Sequence, residues 1–138
     1  RGRHISIMPI FVLTSDSLSR YPENQPHDFR VYLPKPLELH GNWTVSLNEF
    51  SVDSGKLKNE LYVYCNLCDD SCVVDRKIPL LRRVSMKRPT NQIFALPYRI
   101  PIRLTHVSEI HVYIKDRNHA PASFLTGTVT LTLTVEKR

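Results

Sequence analysis

Apolar and polar residues alternate with a period of two along much of this chain. In the stretch 128–135 the threonines take one face and the apolar residues take the other, namely Val129, Leu131, Leu133 and Val135. Successive side chains of a β-strand point to opposite faces, so this alternation predicts a half-buried strand. The stretches 29–33 and 43–47 repeat the pattern. The dominant period therefore predicts an all-β chain.

The alternation changes phase at two places. After Leu47 the apolar character moves to Phe50 and Val52, and a similar change separates Val107 from Ile110. A β-bulge inserts one extra residue and restores the buried face. We therefore predict a bulge near 48–49 and a comparable irregularity after Val107.

Prolines interrupt one apolar run. From Phe94 the even positions are apolar as far as Leu104, but Pro97 and Pro101 lie inside the run. Proline cannot donate to a strand ladder. This segment is therefore predicted to be an edge strand, or to be broken at the prolines.

The remaining pattern contains no convincing helix, and ten prolines punctuate the loops. Eight strands are predicted, with errors of about 2–4 residues at each end: 5–14, 28–33, 43–52, 60–67, 77–84, 93–103, 107–115 and 126–136. Long connections between strands suit a two-sheet sandwich. We predict one jelly-roll β-sandwich over residues 1–138, with 1–10 as an N-terminal extension or the first strand. An immunoglobulin-like sandwich is disfavoured, because no cysteine pair brackets Trp43.

Composition and charge narrow the function classes. The 138 residues suffice for one domain with one core, and no apolar run approaches the ~20 residues of a membrane span. The net charge of +6 permits contact with acidic partners, but the cations are scattered along the chain. Modules that bind nucleic acids usually gather cations and stacking aromatics on one face. The pattern therefore argues against specific nucleic-acid recognition.

The three cysteines, Cys65, Cys68 and Cys72, leave three interpretations open. A structural zinc site needs four ligands, and no second C-x2-C or paired histidine supplies the fourth. Cys68 and Cys72 could form a disulfide across a polar turn. The period of two places Cys65 on the buried face with Leu61 and Val63, which favours free structural thiols. It places Tyr62, Tyr64 and Asn66 on the opposite, outward face. The segment 61–84 is accordingly interpreted as strand, turn and strand.

Catalytic patterns are missing from the sequence. The six histidines form no H-x-H or H-E-x-x-H pair, and His111 alternates with apolar neighbours, which predicts an exposed histidine. No serine lies in G-x-S-x-G, and neither G-x-G-x-x-G nor a P-loop occurs. We therefore expect neither an enzyme nor a cofactor. A cupin-type metalloenzyme is a remote alternative, because the tight histidine pair is missing.

Three blocks of residues resemble one known family. The first block holds Phe11, Val12, Leu13, Tyr21, Asn24, Leu33, Pro34, Lys35, Pro36, Leu37, Leu39, Gly41, Trp43, Val45, Leu47 and Glu49. The second holds Tyr62, Val63, Tyr64, Cys65, Val73, Val74, Asp75, Pro79, Leu80, Leu81, Arg82, Arg83 and Val84. The third holds Tyr98, Pro101, Ile102, Ile110, Val112, Ile114, Asp116, Pro121, Phe124, Gly127, Val129, Leu131 and Leu133. Over residues 11–138 the chain resembles the penton, or minor capsid protein, of Polinton (Maverick) elements and adintovirus-like viruses.

The resemblance implies a structural capsid protein of the virion, assembled inside the host cell. Its fold would be a single jelly roll, and it would form a homopentamer at the icosahedral fivefold vertices. Its other partner would be a double-jelly-roll major capsid protein. The chain departs from the family in about ten extra residues upstream, a short loop at 53–59, and the thiols Cys68 and Cys72. The short loop speaks against a receptor-binding role.

A structural signature follows from the resemblance. It comprises Leu33, Pro34, Lys35, Pro36, Leu37, Gly41, Trp43, Tyr62, Tyr64, Cys65, Pro79, Leu80, Leu81 and Arg82. Proline fixes φ, so Pro34 and Pro36 are expected to stiffen a crossing between strands. Gly41 is expected to adopt a φ that other residues avoid. Trp43 is expected to enter the core, so that its replacement by alanine would cost roughly 3–5 kcal/mol.

The residues also allow a second class of function. The triplet Asn42-Trp43-Thr44 matches the glycosylation acceptor pattern, and several tyrosines are predicted to face outward. These features fit a ligand-binding β-sandwich of a lectin-like or trimeric cytokine-like type. Within the capsid interpretation, Arg1, Arg3 and His4 are expected to point inward, toward neighbouring subunits or the genome.

Overall fold

The computed structural model describes residues 9–16, 20–52, 60–73, 76–85 and 91–138, with only the backbone of 71–73. These residues form β-strands and connections without a helix, which confirms the all-β prediction. The eleven strands are β1 (Ile10–Thr14), β2 (Asp28–Glu38), β3 (Trp43–Val52), β4 (Glu60–Cys65), β5 (Ser71–Val73), β6 (Arg76–Ile78), β7 (Leu80–Ser85), β8 (Asn91–Ile93), β9 (Ile100–Pro101), β10 (His106–Lys115) and β11 (Val129–Lys137). The expectations for Arg1, Arg3, His4 and the loop 53–59 fall outside the described residues.

The strands form two antiparallel sheets and one short hairpin. Sheet A has the order β1-β11-β3-β8, and β9 also pairs with β3. Sheet B has the order β2-β10-β4-β7, and β5 pairs only with β6. β1 lies beside β2, and β7 lies close to β3. One side of the molecule is therefore built from β1 and β2, and the opposite side from β7, β8 and β9.

One hydrophobic core lies between the two sheets. Sheet A contributes Val45, Phe50 and Leu133, and sheet B contributes Phe29 and Ile110, all with at most 1% of their surface exposed. In β11 the apolar residues are buried while the intervening threonines are only half-buried, as the alternation predicts. Two antiparallel sheets that share a core are consistent with a β-sandwich.

Both predicted changes of phase are irregularities of the ladder. In the pairing of β3 with β11, Thr132 lies opposite Glu49 and Leu133 lies opposite Leu47, so Asn48 is the extra residue of a bulge. The pairing of β10 with β2 shifts between Val107 and Glu109. Each irregularity returns the following apolar residues to the core, which is the physical reason for its position.

The proline-bearing run is both broken and at an edge, as predicted. It supplies β8 and β9, which both pair with β3, and the residues between them are irregular. The end of β9 also contacts the turn after β4, because the carbonyl oxygen of Pro101 accepts from the amide of Asp69 at 2.9 Å. Several predicted boundaries were nevertheless wrong. The single strand predicted at 77–84 is divided into β6 and β7, and the turn predicted around Cys72 contains β5. Pro79 lies between β6 and β7, where it ends the pairing of the hairpin.

Pro34 and Pro36 lie inside β2, and not in the loop that was predicted to begin at Pro34. The ladder opens there, because Leu37 pairs with Val107 while the next pair joins Tyr32 to Glu109. β2 is an edge strand of sheet B. Prolines are tolerated on an edge because its outward backbone groups need no partner within the sheet.

Trp43 lies at the margin of the core and is half-buried, which corrects its predicted place inside the core. Its indole Nε1 donates a hydrogen bond to the carbonyl oxygen of His40 at 2.9 Å. It begins β3 opposite Lys137, near the end of β11. A position at the end of both strands leaves the ring with core contacts on one side only, so its truncation should cost less than the expected 3–5 kcal/mol.

Gly41 has a φ of +90°, as the resemblance implied. A Cβ at this position would meet the end of the Lys137 side chain, with Cε at 3.4 Å and Nζ at 3.9 Å; these are ordinary contacts, so backbone strain decides the outcome. We expect Gly41→Ala to lower the free energy of unfolding by about 1–2 kcal/mol. Equilibrium urea denaturation measures the change, and Gly41→Asn is the control, because asparagine adopts a positive φ more readily than alanine and should cost less. An unchanged value for Gly41→Ala would contradict the strained conformation.

Candidate interaction surfaces

The signature residues are spread through the fold and do not converge on one pocket. Leu33, Tyr64, Cys65 and Leu81 are buried; Leu37, Trp43, Tyr62, Pro79, Leu80 and Arg82 are half-buried; and Pro34, Lys35, Pro36 and Gly41 are exposed. Most of them therefore shape the core and the edges of the sandwich. Arg82 and Tyr64 have surroundings that the sequence did not predict.

The cysteine segment ends β4 and then turns. The amide of Cys68 donates to the carbonyl oxygen of Cys65 at 3.1 Å, and the amide of Cys65 donates to the carbonyl oxygen of Pro79 at 3.1 Å. Both thiols are free and fully buried. The burial of Cys65 confirms its interpretation as a small core residue, whereas Cys68 was predicted to lie in a polar turn. The side chain of Cys72 lies outside the described part of the chain.

Cys68 lies in an environment that opposes ionisation. A hydrogen bond with Cys65, burial, and the charge of Cys65 raise the pKa of the Cys68 thiol well above its ordinary value. The thiolate is the form that binds metals and attacks electrophiles. Within the described ranges, no group of three or more His, Cys, Asp or Glu side chains could hold a metal ion.

Tyr64 has an outward position in β4 but is fully buried, which corrects its predicted exposure. Its ring stacks on Tyr113 with 4.9 Å between the centroids, and the Nζ of Lys115 lies 6.0 Å from its ring. Its hydroxyl has no hydrogen-bond partner among the described residues. Burial, reinforced by neighbouring Tyr113 and Tyr62, raises the pKa of Tyr64 to about 12.

We expect Tyr64→Phe to stabilise the protein by about 1 kcal/mol at neutral pH, because it removes a buried hydroxyl that lacks a partner. The parent chain should also lose stability between about pH 10 and pH 12. In that window the unfolded tyrosine ionises while the folded one keeps its proton, so the unfolded state binds fewer protons. Denaturation at stepped pH measures both effects.

Tyr62→Phe is the matched control, because the Tyr62 hydroxyl already has Glu60 Oε2 at 3.4 Å. That variant should not be stabilised. A Tyr64→Phe variant that is destabilised at neutral pH, or that keeps the full alkaline loss of stability, would contradict the assignment.

The outer face of sheet B carries two contacts between a histidine and a carboxylate. His106 Nδ1 lies 2.6 Å from Glu38 Oε1, and His111 Nε2 lies 2.6 Å from Asp28 Oδ1. Both pairs join β10 to β2. His111 was predicted to be exposed, but only 24% of its side chain is accessible, because it packs beside Asp28 and the ring of Tyr113.

The outer face of sheet A is different, because it carries few charges. Its centre consists of hydroxyl-bearing residues of β11 and β3, namely the half-buried Thr130, Thr132, Thr134 and Ser51 and the buried Ser46. Glu49 is the one charged residue in the ladder rows that these residues occupy. Protein interfaces are typically depleted of charge at their centres. Sheet A therefore offers the better surface for a protein contact.

Arg82 closes one side of the sandwich. It lies opposite Val63 in the ladder, and is therefore directed toward the core from an edge strand of sheet B. Its guanidinium carbon lies 3.9 Å from the ring centroid of Phe94 and 4.0 Å from that of Tyr98. Its Nη1 donates to the carbonyl oxygen of Leu96 at 2.8 Å. Stacking and hydrogen bonding together hold the segment 93–98 against the sandwich.

This segment presents a rigid apolar surface, which we call the Arg82 knob and define as Ile93, Leu96 and Tyr98 around Arg82. The exposed fractions of its three outer side chains are 76%, 73% and 55%. Sequence alternation had placed Leu96 and Tyr98 in a strand with Phe94. The pattern missed their exposure because the backbone between β8 and β9 leaves the ladder, and only the two prolines signalled that break.

A second apolar surface lies on the opposite side of sheet A. Ile10 and Val12 project from the outer face of β1, with exposed fractions of 65% and 67%, and we call this pair the β1 rim. β1 is an edge strand that pairs only with β11. An edge strand with exposed aliphatic residues invites association unless another chain covers it.

Charge is divided unequally along the sequence. The segment 76–103 contains eight Lys or Arg residues and no Asp or Glu, whereas the segment 9–40 contains four carboxylates and three cations. In the fold, residues of other segments offset part of this difference, because Arg83 lies 3.8 Å from Glu60 and Arg99 lies 3.5 Å from Glu136.

A comparison with protein-family models finds no match, and a comparison with curated proteins also finds none. No described segment is a helix of the length and apolar character that a bilayer crossing requires.

Proposed function

We propose that the fold is a jelly roll. Leaving the small hairpin β5–β6 aside and counting β8 and β9 as one interrupted strand, the remaining eight strands form two four-stranded sheets. Consecutive strands change sheet at every step except between β4 and β7. Eight strands in two sheets connected as Greek keys characterise the jelly rolls of viral capsids, lectins and cupins.

On this fold we propose that the protein is a structural capsid subunit that assembles as a homopentamer at icosahedral fivefold vertices. The observation that carries the proposal is the strand order β1-β11-β3-β8 facing β2-β10-β4-β7, together with the penton-like sequence blocks. Its partners would be further copies of itself and a double-jelly-roll major capsid protein, within the virion.

Two features of the surface support a role in assembly. The molecule has an outer sheet face with few charges, and it carries exposed apolar residues on opposite sides, at the β1 rim and the Arg82 knob. Isolated apolar residues are normal on a surface, but apolar groups beside a charge-depleted sheet suit burial between subunits. A subunit that works through its shape needs such surfaces and requires no catalytic group.

Oligomeric mass in solution tests the proposal. Analytical ultracentrifugation of the whole chain should give a pentamer, and particles made with the major capsid protein should show it at their vertices by electron microscopy. A protein that stays monomeric at every concentration and never enters particles would overturn the proposal. A trimer would favour the cytokine-like alternative, and specific retention on a glycan array would favour the lectin-like one.

A further inference from the structure

We propose that Cys65 and Cys68 form a redox pair, which holds two thiols under reducing conditions and closes to an intramolecular disulfide when a peroxide oxidises it. The proposal goes beyond the capsid role and does not rest on it. Cys68 is not among the penton-like blocks, so the pair is a property of this chain and does not follow from the resemblance.

The backbone of the pair already has the spacing that a disulfide needs. Asn66 and Leu67 form the centre of a turn, and the amide of Cys68 closes it on the carbonyl oxygen of Cys65 at 3.1 Å. The terminal Cα atoms of such a four-residue turn lie within about 7 Å of each other. Disulfides span Cα separations of roughly 4.4–6.8 Å. The bridge can therefore close without the movement of a strand.

The two sulfur atoms are also neighbours. The thiols of Cys65 and Cys68 are hydrogen-bonded to each other, and Cys65 Sγ lies 3.8 Å from Oδ1 of Asn66. Both cysteines are 0% exposed, so packing holds each sulfur beside the other. The described side chains contain no other sulfur atom. Closure therefore requires rotation of these two side chains until the sulfur atoms are about 2.05 Å apart.

Burial makes oxidation of the pair slow in the closed fold. The thiolate is the form that attacks an oxidant. The hydrogen bond with Cys65 and burial raise the pKa of the Cys68 thiol, and neither side chain reaches solvent. Oxidation must therefore pass through a local opening of the turn, and the rate of oxidation reports how often the turn opens.

The turn also connects the two sheets. The amide of Asp69 donates to the carbonyl oxygen of Pro101 at 2.9 Å, and the amide of Arg103 donates to the carbonyl oxygen of Leu67 at 3.2 Å. The turn follows β4 of sheet B, whereas Pro101 ends β9, which pairs with β3 of sheet A. A disulfide that opposes opening of the turn would therefore protect this connection.

Hydrogen peroxide balances the reaction. One thiolate attacks a peroxide oxygen and becomes a sulfenic acid, and the other peroxide oxygen leaves as water after protonation. The second thiol attacks the sulfenic sulfur, and its proton leaves with the hydroxyl group as another water. Two thiols and one peroxide thus give one disulfide and two waters. Cytosolic thiol buffers keep cysteines reduced, so the disulfide would mark exposure to peroxide.

Cys72 is the competing partner for Cys68, because the sequence left a disulfide between these two residues open. The backbone of Cys72 belongs to β5, which pairs with β6 and not with β4. Cys68, by contrast, is buried against Cys65. The bridge is therefore assigned to Cys65 and Cys68, and Cys72 is expected to keep its thiol.

The test counts the thiols of the whole chain before and after treatment with hydrogen peroxide. The folded protein is oxidised and then denatured, and its free thiols are alkylated and located by mass spectrometry. The parent should fall from three thiols to one. The peptide that holds Cys65 and Cys68 should be lighter by two hydrogen atoms and carry no alkyl group. Dithiothreitol should restore both thiols.

Two variants distinguish the possible bridges. Cys72→Ser leaves the pair untouched and should fall from two thiols to none. Cys68→Ala should keep both of its thiols, because Cys65 then has no sulfur beside it among the described side chains. If Cys68→Ala does not fold, the Cys72→Ser result still decides. A parent that keeps all its thiols, a bridge that includes Cys72, a covalent dimer, or oxidation of the pair to sulfinic acid without a disulfide would overturn the proposal.

The oxidised protein should also be more stable. In the Cys72→Ser variant, closing the bridge should raise the melting temperature by a few degrees and slow hydrogen exchange at the amides of Asp69 and Arg103 by about tenfold. Reversal by dithiothreitol separates this effect from methionine oxidation, which needs an enzyme for its reversal. A lower melting temperature after oxidation would show that the turn does not accommodate the bridge and would contradict the proposal.

Discussion

A Phe50→Ala variant should lose roughly 3–5 kcal/mol of unfolding free energy, the range typical of a large aromatic side chain deleted from a packed core. Phe50 is fully buried in β3, directly opposite Leu131 of β11. It faces the core only because Asn48 is an extra residue in the strand. Chemical denaturation at one fixed protein concentration measures the loss, since assembly would make the stability depend on concentration.

The control for Phe50→Ala is Phe124→Ala, which removes the same atoms from a side chain that is 40% exposed. That change should cost less than about 1 kcal/mol, as most surface substitutions do. Trp43→Ala should lie between the two because Trp43 is half-buried. A Phe50→Ala variant no less stable than Phe124→Ala would mean that the bulge does not direct Phe50 into the core.

An Asn66→Ala variant should lose roughly 2–3 kcal/mol, because it leaves two backbone groups of β10 without partners. Asn66 follows the last residue of β4 and continues the ladder with its side chain. Its Oδ1 accepts from the amide of His111 at 2.9 Å, and its Nδ2 donates to the carbonyl oxygen of Glu109 at 3.1 Å. β10 lies inside sheet B, where an unpaired amide or carbonyl group is costly.

The chain contains a matched control for this prediction. Asn24 also makes two hydrogen bonds with the backbone: its Oδ1 accepts from the amide of Arg30 and its Nδ2 donates to the carbonyl oxygen of Arg30, both at 2.9 Å. Arg30 lies in the exposed edge strand β2. Water can replace its amide there, so Asn24→Ala should cost well under half as much as Asn66→Ala. Equal losses in the two variants would show that burial does not determine the value of the Asn66 contacts.

The stability of each variant must be known before a loss of assembly can be interpreted. Val12 and Leu96 are exposed apolar residues that suit a contact between subunits, whereas Phe50 and Asn66 stabilise the folded subunit. A variant that loses assembly together with its core says nothing about the interface. Measuring the melting temperature and the oligomeric mass of each variant therefore separates the two causes.

Alternation along the chain was sufficient to predict the long strands β3, β10 and β11 and their buried faces. In β11 the local pattern determines which residues are buried, because every second side chain of a strand points to the same face. Leu131 and Leu133 therefore lie on one face, and both are buried. The bulge at Asn48 was predictable for the same reason, because without an extra residue the strand would have directed Phe50 to the outer face of the sheet. The free thiol of Cys65 followed from the same pattern.

The alternation could not predict how exposed a side chain is at the end of a strand, or where residues from another segment cover it. Trp43 was expected in the core, and Tyr64 was expected on the surface, and both expectations were wrong. Trp43 begins its strand and lacks neighbours on one side, whereas Tyr64 is covered by residues from other segments, such as Tyr113. Neither circumstance can be read from a period of two.

The Arg82 knob illustrates the limit most clearly. The sequence singled out Arg82 only as part of a block that resembles a known family, and it placed Leu96 and Tyr98 in a regular strand. Arg82 lies in an edge strand of sheet B, and Leu96 lies in the connection between β8 and β9 of sheet A. They are fourteen positions apart in the sequence, and Arg82 Nη1 donates a hydrogen bond to the carbonyl oxygen of Leu96. Local periodicity determines which face of a strand is apolar, but only the packing of one sheet against the other decides which apolar residues remain in water. Buried area depends on neighbours that are distant in sequence, and these neighbours leave no periodic signal.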